Sequence, residues 1–220
     1  MEMKYTANKQ NHKAVTVILI VLAVLIAAVG VLSWMVLNDP NAGKGLENIQ
    51  ASDALPKAVA KSAVARQESS FSVDEVNGYL SYLFQKSNVS KKDGSMKIQA
   101  VAVSNASGSS ADLYLPVSYQ GKHLGVVLNV TPSLDSTNNK LLFQVNSAQV
   151  GRLPVPAGWV LEKVRSHLPE GFSASDNTIS CESPAIEASV SGITASLKVG
   201  DFKMENGRLK IGSQAEIKIG

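Results

Sequence analysis

Cysteine is almost missing from this chain: 220 residues hold one, Cys181. A single thiol closes no intramolecular disulfide and supplies no CxxC zinc or redox site. The fold must therefore rest on its core, which a domain of roughly 150 residues can manage because it buries nearly 70% of its unfolded surface. Cys181 alternates with Ile179 in a strand-like run and reads as a small buried apolar residue. Histidine is scarce too, and His12, His123 and His167 show no HExxH or other paired metal-ligand spacing. A DxDxDG calcium loop is absent. Gly171-Phe-Ser-Ala-Ser lacks the closing glycine of a nucleophile elbow, which also needs a strand before it and a helix after it. Gly121-Lys-His-Leu-Gly125 lacks the lysine-serine ending of a phosphate loop. The scattered acids could form an acid/base pair only through folding. The expectation is a protein that is not an enzyme and needs no metal or cofactor.

Strong charge of either sign is also lacking. The formal net charge is +3, and Lys4, Lys9 and Lys13 against Glu2 put +2 of it in the first thirteen residues. The outer chain is thus close to neutral, without the basic stripe of a nucleic-acid binder, so no nucleic-acid partner is expected. Lys91-Lys92, its one basic pair, sits in a Ser/Asp/Gly turn and reads as a solvated loop.

What the chain does have is one long greasy run. Ala14–Leu37 covers 24 residues without a charge, interrupted only by Thr16, Gly30, Ser33 and Trp34 among aliphatic residues and Met35. About 20 such residues at 1.5 Å rise cross a hydrocarbon core of ~30 Å. A cleaved signal peptide would have a shorter apolar core and a small-residue cleavage site, and Trp34-Met35-Val36-Leu37 is not one. Lys9, His12 and Lys13 precede the run and Asn38-Asp39-Pro40 follow it. The positive-inside rule then predicts a cytoplasmic tail over 1–13, a transmembrane helix over 14–37, and everything later outside the cell membrane. Residues 38–70, low in aromatics, read as a partly helical spacer, and 71–220 as an extracytoplasmic domain.

That domain opens with a helix signal. Ser72 and Glu75 form a capping box, Phe71 can staple against Val76, and Val73, Val76, Leu80, Leu83 and Phe84 follow helical spacing. Period-two alternation then takes over: Leu113, Leu115, Val117 and Tyr119; Leu124, Val126, Leu128 and Val130, with Pro132-Ser133 breaking the strand; and, after a turn at Ser136–Asn139, Leu141, Phe143 and Val145. Lys97–Ser104 also reads as a strand. A second helix begins at Val155-Pro156, is lined on one side by Trp159, Val160, Val164 and Leu168, and stops at Pro169-Glu170-Gly171. Four more strand-like runs follow, with Asn206-Gly207 as a hairpin turn. The predicted class is α+β: an N-terminal transmembrane helix, then an antiparallel β-sheet wrapping one or two helices.

Several of these pieces resemble the YpmS-like family of membrane-anchored proteins from Gram-positive bacteria. They are Phe71-Ser72 with Asn77 and Leu80 on the first helix, Gly151-Arg152-Leu153-Pro154-Val155-Pro156 leading into the second, and Leu168-Pro169 closing it. Glu170-Gly171-Phe172 stand where a bulky aromatic often follows in that family. The resemblance implies location and fold, and carries over no catalytic residue. The plan is also similar to tubular lipid-binding domains, an analogy of fold alone.

Together these features favour a single-pass membrane protein whose outer domain binds a lipid or other hydrophobic envelope molecule, with membrane lipids as the first partner. An apolar groove between sheet and helix would be lined by Leu115, Val117, Val126, Leu128, Phe143, Trp159 and Val164. The competing reading of the same seven positions is a closed core. The alternative function is a non-catalytic scaffold that docks an envelope enzyme or assembly factor through an edge strand or exposed patch.

Overall fold

Apolar residues without a break build a helix, and in the computed structural model α1 runs Lys9–Leu37. The model describes residues 9–87, 96–165, 168, 171–183, 186–190 and 193–217. Ile20–Leu37 has mean hydropathy 2.8 and is long and apolar enough to cross a membrane. Among the described residues none of this window is buried, and Ile26 is 65% exposed. Its last turn touches the rest of the fold.

The remainder is α+β: a large curled antiparallel sheet, a smaller one, and a few helices. The larger sheet contains β2 (Met96–Ile98), β3 (Ala102–Ser107), β4 (Ser110–Tyr119), β5 (Lys122–Asp135), β6 (Lys140–Val150), β7 (Leu153–Val155), β8 (Phe172–Ser175) and β9 (Thr178–Glu182). Its order is β2-β4-β5-β6-β9-β8, with β3 also on β4 and β7 on β6. The smaller sheet orders β1 (Ser69–Phe71), β12 (Arg208–Ile217), β11 (Ile193–Glu205) and β10 (Ile186–Val190). Two-residue turns set the registers. Gln120-Gly121 and Asn206-Gly207 both have positive φ at each position, the twist-matched hairpin geometry, and they pair Tyr119 with Lys122 and Glu205 with Arg208.

Three helices besides α1 cover the sheets. α2 (Ala54–Val64) buries Leu55, Val59 and Ala63, one stripe at i, i+4 and i+8. Leu55 and Val59 share a cluster with Phe202, Met204, Leu209 and Ile211 of the smaller sheet. α3 (Val73–Lys86) starts at the expected capping box, Ser72 Oγ accepting from Glu75 N and Glu75 Oε2 from Ser72 N at 2.8 Å. Its most buried positions are Asn77 and Gly78 rather than the large apolar residues, and Leu83 is 40% exposed. The Asn77 amide copies a strand: Nδ2 donates to Val103 O at 2.9 Å and Oδ1 accepts from Val103 N at 2.6 Å. This occurs where β3 bulges between Val103 and Asn105. Gly78 lets residues 50–52 cross α3, with Ser52 N donating to Gly78 O at 2.9 Å. α4 (Ala157–Val164) buries Val160, Leu161 and Val164 against the curl of the larger sheet.

Several boundaries differ from expectation for identifiable reasons. Residues 38–70 are not a spacer: they contain α2 and β1, and β1 pairs with β12. The stripe on α2 had to be buried, and fully covering each such aliphatic side chain contributes about 1.5–3 kcal/mol. β5 does not break at Pro132, which pairs across to Phe143 and lies where β5 is bonded to β6 alone. A strand with one unpaired side tolerates a proline. The predicted strand over 97–104 is split instead. Gln99 N donates to Pro116 O at 2.8 Å, but Pro116 has no N–H to return, so the ladder opens over Gln99–Val101. Phe172–Ser175 is a strand and not an elbow. Lys91-Lys92, His167 and Pro169-Glu170 lie outside the described residues.

Candidate functional site

Six of the seven positions expected to line a groove sit in or against the core. Val117, Val126, Leu128 and Val164 belong to one buried cluster, with Leu128 at 2% exposed, and Leu115 and Phe143 pack against it. Phe143 meets Phe202 edge-on, ring centres 5.7 Å apart. Trp159 is on the far side of α4, 51% exposed, and Leu161 takes the inward place expected for it. Helix periodicity explains the exchange. The inward stripe is Ala157, Val160, Leu161 and Val164, and position 159 falls outside it. Four of the seven positions are thus buried, Leu115 and Phe143 are half-buried against them, and none of the seven lines either cleft described below.

The built site lies where α1 meets the sheet. Tyr114 points to the face of β4 opposite Leu113 and Leu115, and it is 2% exposed. An aromatic ring on that face needs a cover, and the chain just after α1 supplies it. The Tyr114 hydroxyl donates to Asp39 Oδ2 at 2.5 Å, while Asp39 Oδ1 accepts from Asn41 N at 2.9 Å. Burial, with Asp39 and Glu47 adding to it, holds the Tyr114 hydroxyl far above its ordinary range. Asn41 is itself buried, and Lys44 Nζ donates to its Oδ1 at 2.8 Å.

Two glycines make this approach possible. A Cβ on Gly125 would collide with the Asp39 carboxylate. A Cβ on Gly151 would run into the backbone carbonyls of Met35 and Val36, and its φ of +59° already disfavours other residues. Arg152 N then donates to Met35 O at 2.8 Å, and Gly151 N to Gly125 O at 2.7 Å. The last turn of α1 has carbonyls with no intrahelical partner, and the sheet satisfies one of them. Helix and domain are thus joined backbone to backbone, with no free linker between them.

Two clefts flank this junction. The first, about 470 Å³, is lined by Trp34, Leu37, Asn38, Asp39, Ala42 and His123. The second, about 510 Å³, lies between the short 3-10 helix Leu46–Asn48, the end of α3 and the strand gap at Gln99–Val101. Its lining is half polar, from Glu47, Asn48, Ser81, Gln85 and Gln99, and half apolar, Phe84 included. Ser81 Oγ is engaged, donating to Ile49 O at 2.8 Å. Gln99 of the second cleft and His123 of the first are in contact, Nε2 and Nδ1 3.4 Å apart.

No family model, curated protein or solved structure matches the chain. The site therefore rests on its own geometry. Among the described residues no group of His, Cys, Asp and Glu could hold a metal ion. Cys181 is half-buried, and burial pushes its thiol up to about 11, which leaves it a poor nucleophile at neutral pH. The arrangement suits binding: Trp34 and Leu37 supply an apolar end beside polar groups. Sequence reasoning passed over these residues because Asp39 looked like the start of a spacer and Gly125 like half of a weak loop motif. A glycine inside an alternating strand was the available signal, since it marks a bulge or a close approach of another group.

Proposed function

We propose that this is a single-pass membrane protein of the cell envelope, with its N-terminus in the cytoplasm. Its outer domain binds a membrane amphiphile in the cleft beside the end of its anchor. One observation carries the reading: the greasy helix ends in backbone contact with the sheet, and a cleft lined by both apolar and polar side chains opens at that junction. With α1 in the bilayer, Trp34 and Leu37 lie at the level where hydrocarbon gives way to head groups, and Asp39 and His123 lie just beyond. A lipid could enter sideways without leaving its leaflet. The basic residues before α1 and their absence just after it support the orientation. Membership in the YpmS-like family is part of the same proposal.

The test uses the full chain in lipid nanodiscs. Native mass spectrometry after gentle release should show retained lipid, and Ala42→Trp, which fills the cleft from an exposed position, should remove it. Absence of lipid from the unaltered chain, or equal retention by A42W, would count against the proposal.

A second reading, a scaffold for an envelope protein, is supported by Trp159 and Phe172, which are 51% and 38% exposed. Large aromatics left in water are common anchors of interfaces. Crosslinking in intact membranes should then trap a stoichiometric partner in the unaltered chain and lose it in Trp159→Ala.

A further inference from the structure

The lining of the two clefts says more about the ligand, provided the cleft at the anchor does bind an amphiphile. Anionic head groups are ordinarily held by arginine or lysine, through charge and paired N–H donors. No lysine or arginine stands among the described lining residues of either cleft. Lys44 is close by, but its ammonium is taken by Asn41 Oδ1. What lines the second cleft instead is a set of carboxamides, Asn48, Gln85 and Gln99, together with the Glu47 carboxylate and the Phe84 ring. Carboxamides both donate and accept, which is what a hydroxyl group needs, and an aromatic face suits the C–H side of a sugar ring. Asn48, Gln85 and Glu47 are exposed, so their amide and carboxylate groups are open to a ligand.

The clefts are also neighbours. His123 belongs to the first and Gln99 to the second, and their side chains are in contact. The first cleft has exposed apolar residues of the helix end, and the second adds carboxamides and one carboxylate. Pro116 shapes the wall of the second by opening the strand ladder over Gln99–Val101.

We infer that the two neighbouring clefts together take an uncharged, hydroxyl-rich head group carried on an acyl-chain anchor, that is, a glycosyl lipid. The acyl chains stay with Trp34 and Leu37, and the sugars extend past His123 toward Gln99, Asn48 and Glu47.

The experiment places the full chain in phosphatidylcholine nanodiscs holding equal small amounts of diglucosyl diacylglycerol and phosphatidylglycerol with matched chains. Native mass spectrometry reads the lipid retained. The glycosyl lipid should be enriched about tenfold over phosphatidylglycerol, the equivalent of roughly 1.4 kcal/mol. The double variant Asn48→Leu/Gln99→Leu, both at exposed positions, should lower that enrichment to the phosphatidylcholine level at an unchanged melting temperature. Preference for phosphatidylglycerol, or full enrichment in the double variant, would overturn the inference. So would displacement of the bound lipid by millimolar free disaccharide, because the sugar would then not need its anchor. If phospholipids are retained and lost in A42W while sugar brings no preference, only this inference falls. If no lipid is retained from any disc, the binding function falls with it.

Discussion

Replacing Gly125 with alanine should loosen the junction between the anchor and the domain, and the structure says by how much. Gly125 is inside β5, where its φ is not in the left-handed region, so alanine fits the backbone. On backbone entropy alone the change would stabilise by about 0.4–1 kcal/mol. The new Cβ, however, would occupy the space of the Asp39 carboxylate. Asp39 must then leave Tyr114, whose hydroxyl has no water to turn to at 2% exposure. A hydrogen bond to a charged group contributes about 1.5–3 kcal/mol, with discount because Asp39 is only half-buried. The net expectation is a loss of about 1–2 kcal/mol for Gly125→Ala and a similar loss for Asp39→Ala. The two changes break the same bond, so the double variant should be about 1 kcal/mol more stable than additivity predicts. Urea unfolding of the full chain in detergent, followed by fluorescence of its two tryptophans, measures each corner of the cycle. A stabilised Gly125→Ala, or additivity within about 0.5 kcal/mol, would refute the contact as the tie between anchor and sheet.

Two further outcomes follow from groups buried elsewhere. Asn77→Ala leaves both backbone groups of Val103 without a partner and should cost about 2–4 kcal/mol in the same unfolding assay, whereas an exposed neighbour such as Asp74→Ala should change little. Stability should fall at alkaline pH. Burial raises the Cys181 thiol from 9.0 to about 11, so its contribution is whole below pH 9 and is lost as pH rises toward 11. Tyr79 and Tyr114, also raised from 10.0, act in the same sense above pH 10. A Cys181→Ala chain should show a shallower decline between pH 9 and 11 than the unaltered one, and an identical slope would exclude the thiol as a cause.

Local rules carried much of the fold. The capping box at Ser72, the Asn206-Gly207 hairpin and the alternating strands all depend on residues a few positions apart, and each stands as expected. Failures came where a distant partner decides. Trp159 looked inward because only tertiary packing selects which edge of the stripe on α4 is covered. Pro132 looked like a strand end because one cannot see, in the chain itself, that β4 stops before reaching it. Asn77 reads as an ordinary polar helix residue until Val103, 26 positions later, arrives beside it.

The candidate site was the least legible part. The seven positions chosen for a groove were correctly apolar, but alternation tells that a face is covered and not whether by side chains or by a ligand. Residues 38–70, low in aromatics, read as a partly helical spacer. Their cover of Tyr114 depends on a carboxylate reaching across 75 residues to a phenol.

Composition and periodicity suffice for a membrane-length helix, a strand-rich remainder and a chain without disulfides, because hydrocarbon length, the pleat and thiol count are properties of short windows. Folding alone placed Trp159 outside the core and set the helix end against the sheet. It also brought Asp39 against Tyr114 and His123 against Gln99. Each of those facts is a meeting of groups far apart in the chain, and close packing, which no local pattern encodes, determines which of them meet.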